Sequence, residues 1–429
     1  MHKIIKKIVY GAVLLNTVSA QALELYKDDT RALDLNLELT AIPIFSSFHY
    51  GDRRDKNVNW MESYIRASLV GEQAAFGGKA YGGLGVISSK VLGDGDAAGT
   101  SEGDEHRTNI DTAFAGWKND WIDVSAGRQN YVLGDYFLIA GDQLNYGKRI
   151  GNGFDRGGLY YSSQRTTFSN TAIARIKPVD SLMLEAFHLE SDNNGQGNPI
   201  MNGVNTEYSP FKATTLGLSY FKFDNVDGNR ADGLFSARKD MEVYNIRGKS
   251  DFGVAPLTAR FGYAQESSPL VDANAWYVGA DYNFSQWPTS PTLGYRYAKF
   301  SGDKGDGGKG EAFDPLFYGA SNTDPEWVQG EVTGTFAGPF NSDMRSHRVS
   351  ANFTLTDTTA LKVKAYRFSS ERGDEHLADE VDFYLEWFPR ENLIIVPIVG
   401  FWKPASGGQE RYGTDNSQTF ASIIASLTF

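Results

Sequence analysis

The last eleven residues constrain the fold more than any other stretch. Thr419 to Phe429 reads TFASIIASLTF and stops on an aromatic side chain. Counting back by twos from Phe429 gives Leu427, Ala425, Ile423 and Ala421, with Thr428, Ser426 and Ser422 between them. A period of two puts alternate side chains on opposite faces of a strand, so one face is apolar and the other small or polar. In a soluble sheet the apolar face would pack on a core. In a closed barrel it would face lipid, and the last strand would pair with the first, because hydrocarbon tolerates no open sheet edge.

The same alternation recurs along the chain. Leu33, Leu35, Leu37 and Leu39 alternate with Asp34, Asn36, Glu38 and Thr40. Leu257, Ala259, Phe261 and Tyr263 oppose Thr258 and Arg260, and Trp276, Val278, Ala280 and Tyr282 oppose Asp281 and Asn283. Val349, Ala351 and Phe353 oppose Arg348, Ser350 and Asn352, and Val381, Phe383, Leu385 and Trp387 oppose Asp382 and Glu386. Charges fall on the polar face strand after strand, and no helical pattern is present to cover a sheet. The longest apolar run after the start, Leu393 to Trp402, is half the length of a membrane helix and contains Pro397. The expected fold is all-β: a transmembrane antiparallel barrel. Aromatics at 13% and 46 glycines suit strands, tight turns and aromatic girdles.

Residues 1–22 read as a secretory leader. Lys3, Lys6 and Lys7 precede a short apolar run, Ile8 to Leu15, and Ala20-Gln21-Ala22 is a small-x-small cleavage site. This leaves residues 23–429 as one barrel domain, and the terminal aromatic resembles the C-terminal signal of bacterial outer-membrane barrels. The expected location is the bacterial outer membrane, with its lipid as the surrounding partner. The net charge of −12 falls to −15 once the three leader lysines are removed, which argues against a nucleic-acid partner. The absence of Cys excludes disulfides and thiolate metal sites.

Connections come in two sizes. Lys118-Asn119-Asp120, Pro178-Val179-Asp180, Thr356-Asp357-Thr358 and Pro389-Arg390-Glu391-Asn392 fit short periplasmic turns. Stretches 42–59, 91–107, 130–166, 192–203, 302–326 and 403–416 fit long extracellular loops. Eighteen or nineteen strands can be counted. Both ends in the periplasm require an even number, so eighteen are expected. The long-short alternation slips once between about 200 and 345, where Gly203–Ser209 either is or is not a strand.

Three stretches resemble the alginate export family of outer-membrane barrels: LGDGDAAG at 92–99, AGRQNYVLGDYFLIAGDQ at 126–143, and GEAFDPLFYGASN at 310–322 followed by WVQGEV at 327–332. The resemblance implies an eighteen-stranded channel for an acidic polysaccharide, alginate or poly-mannuronate, or for its oligosaccharides. It also implies a basic constriction and possible periplasmic export or lyase partners. Direction of transport does not follow from it.

Strand phase puts Arg66, Arg175, Arg247, Arg260, Arg296, Arg348, Lys362 and Lys364 on the lumen side. Arginine grips carboxylates with a bidentate fork, and rings of fixed charge are the ordinary selectivity device of channels. Segment 130–166 is too long for a simple connector and carries Tyr131, Val132, Leu133, Phe137, Leu138 and Ile139 among many glycines. It is expected to fold into the barrel, bringing Arg149, Arg156 and Arg165 with it. Arg128 stands at its entry; strict alternation would point it at lipid, so it needs a bulge to turn inward. Arg128, Arg149, Arg156, Arg260 and Arg296 are the expected waist, with Arg66, Arg175 and Arg348 as further pore-lining residues. The competing reading is that these cations only neutralise lumen acids such as Glu38, Asp281, Asp382 and Glu386.

Acidic loops at 94–105 and 303–314 lack the spacing of a calcium loop, so no metal and no cofactor are expected. No nucleophile motif such as G-x-S-x-G occurs and the six histidines are scattered, so no enzyme is expected. The leading expectation is passive, anion-selective transport. The alternatives are a general small-solute or sugar porin working in uptake, or a plugged adhesive barrel.

Overall fold

The computed structural model describes residues 22–230, 235–317, 330–337 and 342–429. The leader, apart from Ala22, lies outside them. A short strand, β1 (Leu23–Lys27), precedes β2 (Arg31–Ser46), β3 (Val58–Ala75), β4 (Gly78–Gly93), β5 (His106–Lys118), β6 (Ile122–Asn130), β7 (Thr167–Val179), β8 (Leu182–Glu190), β9 (Ile200–Phe211) and β10 (Thr214–Asn225). The second half continues with β11 (Glu242–Ser250), β12 (Leu257–Ser267), β13 (Asp272–Asn283), β14 (Thr292–Phe300), β15 (Met344–Thr356), β16 (Thr359–Ser369), β17 (His376–Arg390), β18 (Leu393–Pro404) and β19 (Gln418–Thr428).

From β2 onward each strand pairs antiparallel with the next, and β19 returns to pair with β2, which closes an 18-strand barrel. The seam runs from Phe420 opposite Ser46 to Thr428 opposite Glu38. Phe429 extends it: its N–H donates to the Leu37 carbonyl and its carbonyl accepts from the Leu37 N–H, both at 2.8 Å. Where β19 runs out, β1 folds back along β2 with Leu23 opposite Leu35. The edge of β2 below the seam is therefore paired as well, as a barrel in lipid requires.

The alternation sorts side chains as expected. Outward positions are apolar and uncovered by protein: Leu218, Ile246, Phe261, Val278, Tyr295, Val349, Phe383 and Phe401 are all exposed on neighbouring strands. The slip in the loop pattern has two local causes. Gly203–Ser209 does belong to a strand, β9, and β12 and β13 meet through Ser268–Val271, an extracellular turn as tight as a periplasmic one. The stretch after Phe300 removes no crossing, because β14 pairs directly with β15, Phe300 opposite Met344.

The apolar core lies inside the barrel. Phe48, Tyr131, Leu133, Phe137, Ile139, Phe168, Phe221, Phe317, Phe336 and Phe420 form part of one buried cluster, contributed by strand ends and by inward-folded loops.

Candidate functional site

Segment 131–166 enters the barrel and touches the wall around its circumference. Tyr131 lies 4.7 Å from Phe187 on β8 and donates its hydroxyl to Glu185 at 2.7 Å. Phe137 packs on Tyr277 of β13 at 5.0 Å. The Tyr161 and Ser162 N–H groups donate to the Glu62 carboxylate on β3, each at 2.9 Å, and the Tyr161 ring lies 5.4 Å from Phe420 on β19. Contacts with β3, β8, β13 and β19 from one loop require it to cross the lumen. Close approach to the wall depends on glycine: at Gly134 (φ 58) a Cβ would sit 1.9 Å from Nε of Arg247.

A second inward segment, Gly330–Ala337, rests on carboxylates of β17. The Val332 and Thr333 N–H groups donate to Glu380 at 2.6 and 3.0 Å, and that of Glu331 to Asp382 at 3.1 Å. Trp402 on β18 donates its indole N–H to the Thr333 hydroxyl at 3.0 Å, and Tyr161 donates its hydroxyl to Glu331 at 2.8 Å. Burial raises the Glu331 carboxyl above its usual range, against the hydrogen bonds from Tyr384 and Tyr161 that lower it. A third inward piece, residues 313–317, is pinned by Arg238. This fully buried guanidinium grips both oxygens of Asp314 at 2.6 and 2.8 Å, donates to the Leu316 carbonyl and Gln196, and lies over the rings of Phe223, Phe235 and Phe317.

On the periplasmic side of these segments is a cavity of about 670 Å³. The turn residues Ala255, Pro256, Ser285 and Gln286 line its mouth, and Asp135, Tyr136 and Phe137 of the crossing loop form its roof. Its cations are Arg247, Lys249, Arg260, Arg296 and Lys362, and its acids are Asp135, Glu207, Asp281 and Glu386. Some of these pair: Arg247 with Glu207 at 2.7 Å, Arg260 with Asp281 at 3.3 Å, and Lys362 with Glu386. One wall departs from this balance. The adjacent strands β14, β15 and β16 turn Arg296, Arg348, Lys362 and Lys364 inward, with no inward acid among them. Arg296 and Arg348 stand directly opposite each other in the ladder, and Arg296 also lies 5.3 Å from the Tyr277 ring centre. Strands β2, β3 and β5 carry Glu38, Glu62 and Asp111 inward; Arg66 pairs with Glu38 and Asp111, while Glu62 accepts from the N–H groups of Tyr161 and Ser162. The basic stretch is confined to β14–β16, because the next strand, β17, turns Glu380, Asp382 and Glu386 inward, with Asp382 opposite Lys364.

The arginines expected at one waist fall into separate places. Arg260 and Arg296 line the cavity, with Arg348 beside them. Arg128 does turn inward, through the predicted bulge: the β6–β7 register shifts between Gly127 and Gln129, and Gly127 has φ 119. It then meets Arg156 and Arg165 around Asp192, at 2.8, 2.9 and 3.0 Å. Burial alone would raise the Asp192 carboxyl, but Arg156, Arg165 and Arg128 hold it down at about 2. Burial and the neighbouring Arg156 pull Arg165 down to about 10, which leaves it charged at neutral pH. Arg149 is at the extracellular mouth beside His49 and Asp52, away from the cavity. Arg66 and Arg175 are inward but engaged by wall acids, Arg66 with Glu38 and Asp111 at 2.6 and 2.9 Å and Arg175 with Glu185 at 2.6 Å. Arg247 and Lys362, read only as inward, prove to be cavity residues. Sequence alternation does not mark Arg238, which lies between β10 and β11.

No curated protein matches the chain. Among solved structures it is similar to OccK5 (OpdH) of Pseudomonas aeruginosa, with 14% identity, TM-score 0.60, and 92% of this chain and 98% of that chain covered. It is similar to OpdQ of the same organism, with 14% identity, TM-score 0.61, and 94% and 99% covered. It is also similar to OccAB4 of Acinetobacter baumannii, with 12% identity, TM-score 0.61, and 96% and 100% covered. At such identities these likenesses show the fold. The family model that matches is that of Gram-negative porins, over residues 36–373. This overturns the resemblance to alginate exporters. The first of the stretches that carried it is local turn chemistry: in 92–99, Gly93 and Gly95 take positive φ, and Asp96 accepts from the N–H groups of Thr100 and Ser101; of the third, residues 318–322 and 327–329 lie outside the described residues. Turns built from Gly and Asp recur in unrelated loops. An outer-membrane β-barrel with a lumen narrowed by inward loops, matched over most of its length by this model, belongs to the Gram-negative porin family.

Proposed function

We propose that the protein is a passive uptake porin for small anionic solutes. One observation carries the reading: the cavity is lined by five cations, Arg247, Lys249, Arg260, Arg296 and Lys362, against four acids, Asp135, Glu207, Asp281 and Glu386. A solute carboxylate or phosphate is the group such a lining attracts, through the forked guanidinium and the point charge of lysine. Small size is supported by the three inward segments, which leave a cavity of about 670 Å³ rather than an open bore. Transport through it needs no catalytic step, because the lumen groups act by position and charge.

Liposome swelling tests this. Reconstituted protein should admit small monocarboxylates several-fold faster than neutral or cationic solutes of the same size. Equal rates for all three would leave a general porin.

A further inference from the structure

A second cavity, of about 260 Å³, lies at the extracellular mouth and shares no lining residue with the first. The loops that follow β2, β4 and β18 enclose it together with the crossing loop and Phe336. Its charged lining is two cations, Arg53 and Arg411, and no acid. Both are held in place. Arg53 has a left-handed backbone, φ 51, a strained conformation for a residue with a Cβ, and its N–H donates to the Tyr50 carbonyl. Its stem packs on Gly413, where φ is 78 and an added Cβ would lie 3.1 Å from the Arg53 Cβ. Asn416 and Gln418 donate to Asp55 at 2.8 and 3.1 Å, which ties the loop after β18 to the loop after β2. Arg411 donates to the Ser342 and Asp343 carbonyls at 2.9 and 3.1 Å and lies 3.6 Å from the Asp343 carboxylate. Among the described residues Arg53 makes no ion pair. The walls are aromatic. Tyr50 stacks on Phe336 with 13° between the ring planes, and Tyr146 on Tyr160 with 10°. The hydroxyls of Tyr50 and Tyr412 are buried, and neither has a hydrogen-bond partner among the described residues. A buried polar group left so is costly unless water or a ligand meets it.

These features select a ligand. Two guanidiniums on separate loops, with no acid lining the space, suit an anion with more acceptor oxygens than one arginine fork fills. That is a phosphate monoester rather than a carboxylate. Aromatic walls suit a ring with apolar faces. Orphan tyrosine hydroxyls suit a ring that carries hydroxyls of its own, as a sugar does and a plain aromatic acid does not. The volume suits one such ring rather than a chain of them. We propose that the extracellular mouth holds a capture site for a monosaccharide phosphate, with the phosphate between Arg53 and Arg411 and the sugar against Tyr50, Phe336 and Tyr412. This rests on the reading of the protein as an uptake porin for small anions, and it names one class of solute. Capture at the mouth precedes passage to the cavity lined by Arg247, Arg260 and Arg296.

The test is calorimetric titration of the detergent-solubilised barrel with glucose 6-phosphate, glucose, inorganic phosphate and benzoate. Wild type should bind glucose 6-phosphate at least tenfold more tightly than the other three. Arg53→Gln combined with Arg411→Gln should weaken that binding at least tenfold. Tyr50→Phe combined with Tyr412→Phe removes only the two orphan hydroxyls; it should weaken glucose 6-phosphate several-fold and leave inorganic phosphate as it was. Folding of each variant is checked by heat-modifiable gel mobility, and if the arginine pair does not fold, the tyrosine pair decides. Equal binding of glucose 6-phosphate and inorganic phosphate would overturn the proposal. So would tighter binding of benzoate, or wild-type binding by the folded arginine variant. The wild-type reversal potential in a salt gradient is measured alongside. Anion preference without glucose 6-phosphate binding overturns the capture site alone; cation preference overturns the uptake reading and with it the role given to the site.

Discussion

Arg238→Ala is expected to destabilise the extracellular half of the lumen by about 3–5 kcal/mol and to raise single-channel conductance. Removing one partner of a buried ion pair costs about that much, because the other charge stays buried without compensation. Here Asp314 would lose both guanidinium bonds, the Leu316 carbonyl would lose its donor, and Phe223, Phe235 and Phe317 would face the void. Residues 313–317 meet the crossing loop through Ile139 and Phe317, so their release also loosens the constriction. Urea unfolding and planar-bilayer recording check the two halves of the expectation. Wild-type values in both would mean that the Phe168–Phe317 packing, at 5.4 Å, suffices to hold the segment.

Phe261→Arg should cost about 2–4 kcal/mol of folding into lipid, while Thr258→Arg on the same strand should cost little. Phe261 is an exposed outward residue of β12, and Thr258 lines the aqueous cavity three positions earlier. The cost arises because arginine at mid-bilayer has neither water nor a counter-ion, whereas in the lumen it has both. Urea titration of folding into phospholipid vesicles separates the two. Equal tolerance would reverse the phase assigned to β12.

The barrel was legible because its rule is local. A period of two fixes which residues face lipid, and a slip of one residue would invert a whole strand, so Ile423, Phe261 and Val349 could each be placed without a structure. Arg128 shows the same rule used in reverse: its wrong phase demanded a bulge, and the bulge is at Gly127. Loop trajectories follow no such rule. That segment 130–166 enters the barrel could be read from its apolar content, but where its arginines land depends on distant partners. Asp192 draws Arg156 and Arg165 to Arg128, and Asp52 holds Arg149 at the mouth. The seat that Glu380 and Asp382 provide for backbone N–H groups was equally invisible, since in sequence they read as two more lumen acids. The family resemblance misled for a related reason: it rested on three short stretches, of which 92–99 owes its Gly and Asp content to turn geometry, while the porin match rests on residues 36–373 as a whole.

On the proposed reading, selectivity follows the lumen charge and not the chain's total charge. Of the −12 total, much lies in external loops, where salt screens it beyond about 8 Å. Arg296 and Lys362 instead line a narrow, loop-roofed cavity together with Arg247, Lys249 and Arg260, where a passing ion meets them with little intervening water. The direct measurement is the reversal potential of the reconstituted channel in a salt gradient, for wild type and for Arg296→Glu combined with Arg348→Glu. A wild-type potential of the sign for anion preference, moved toward cations in the double variant, is the predicted result; a wild-type channel that prefers cations, or a potential the two substitutions leave in place, would contradict it.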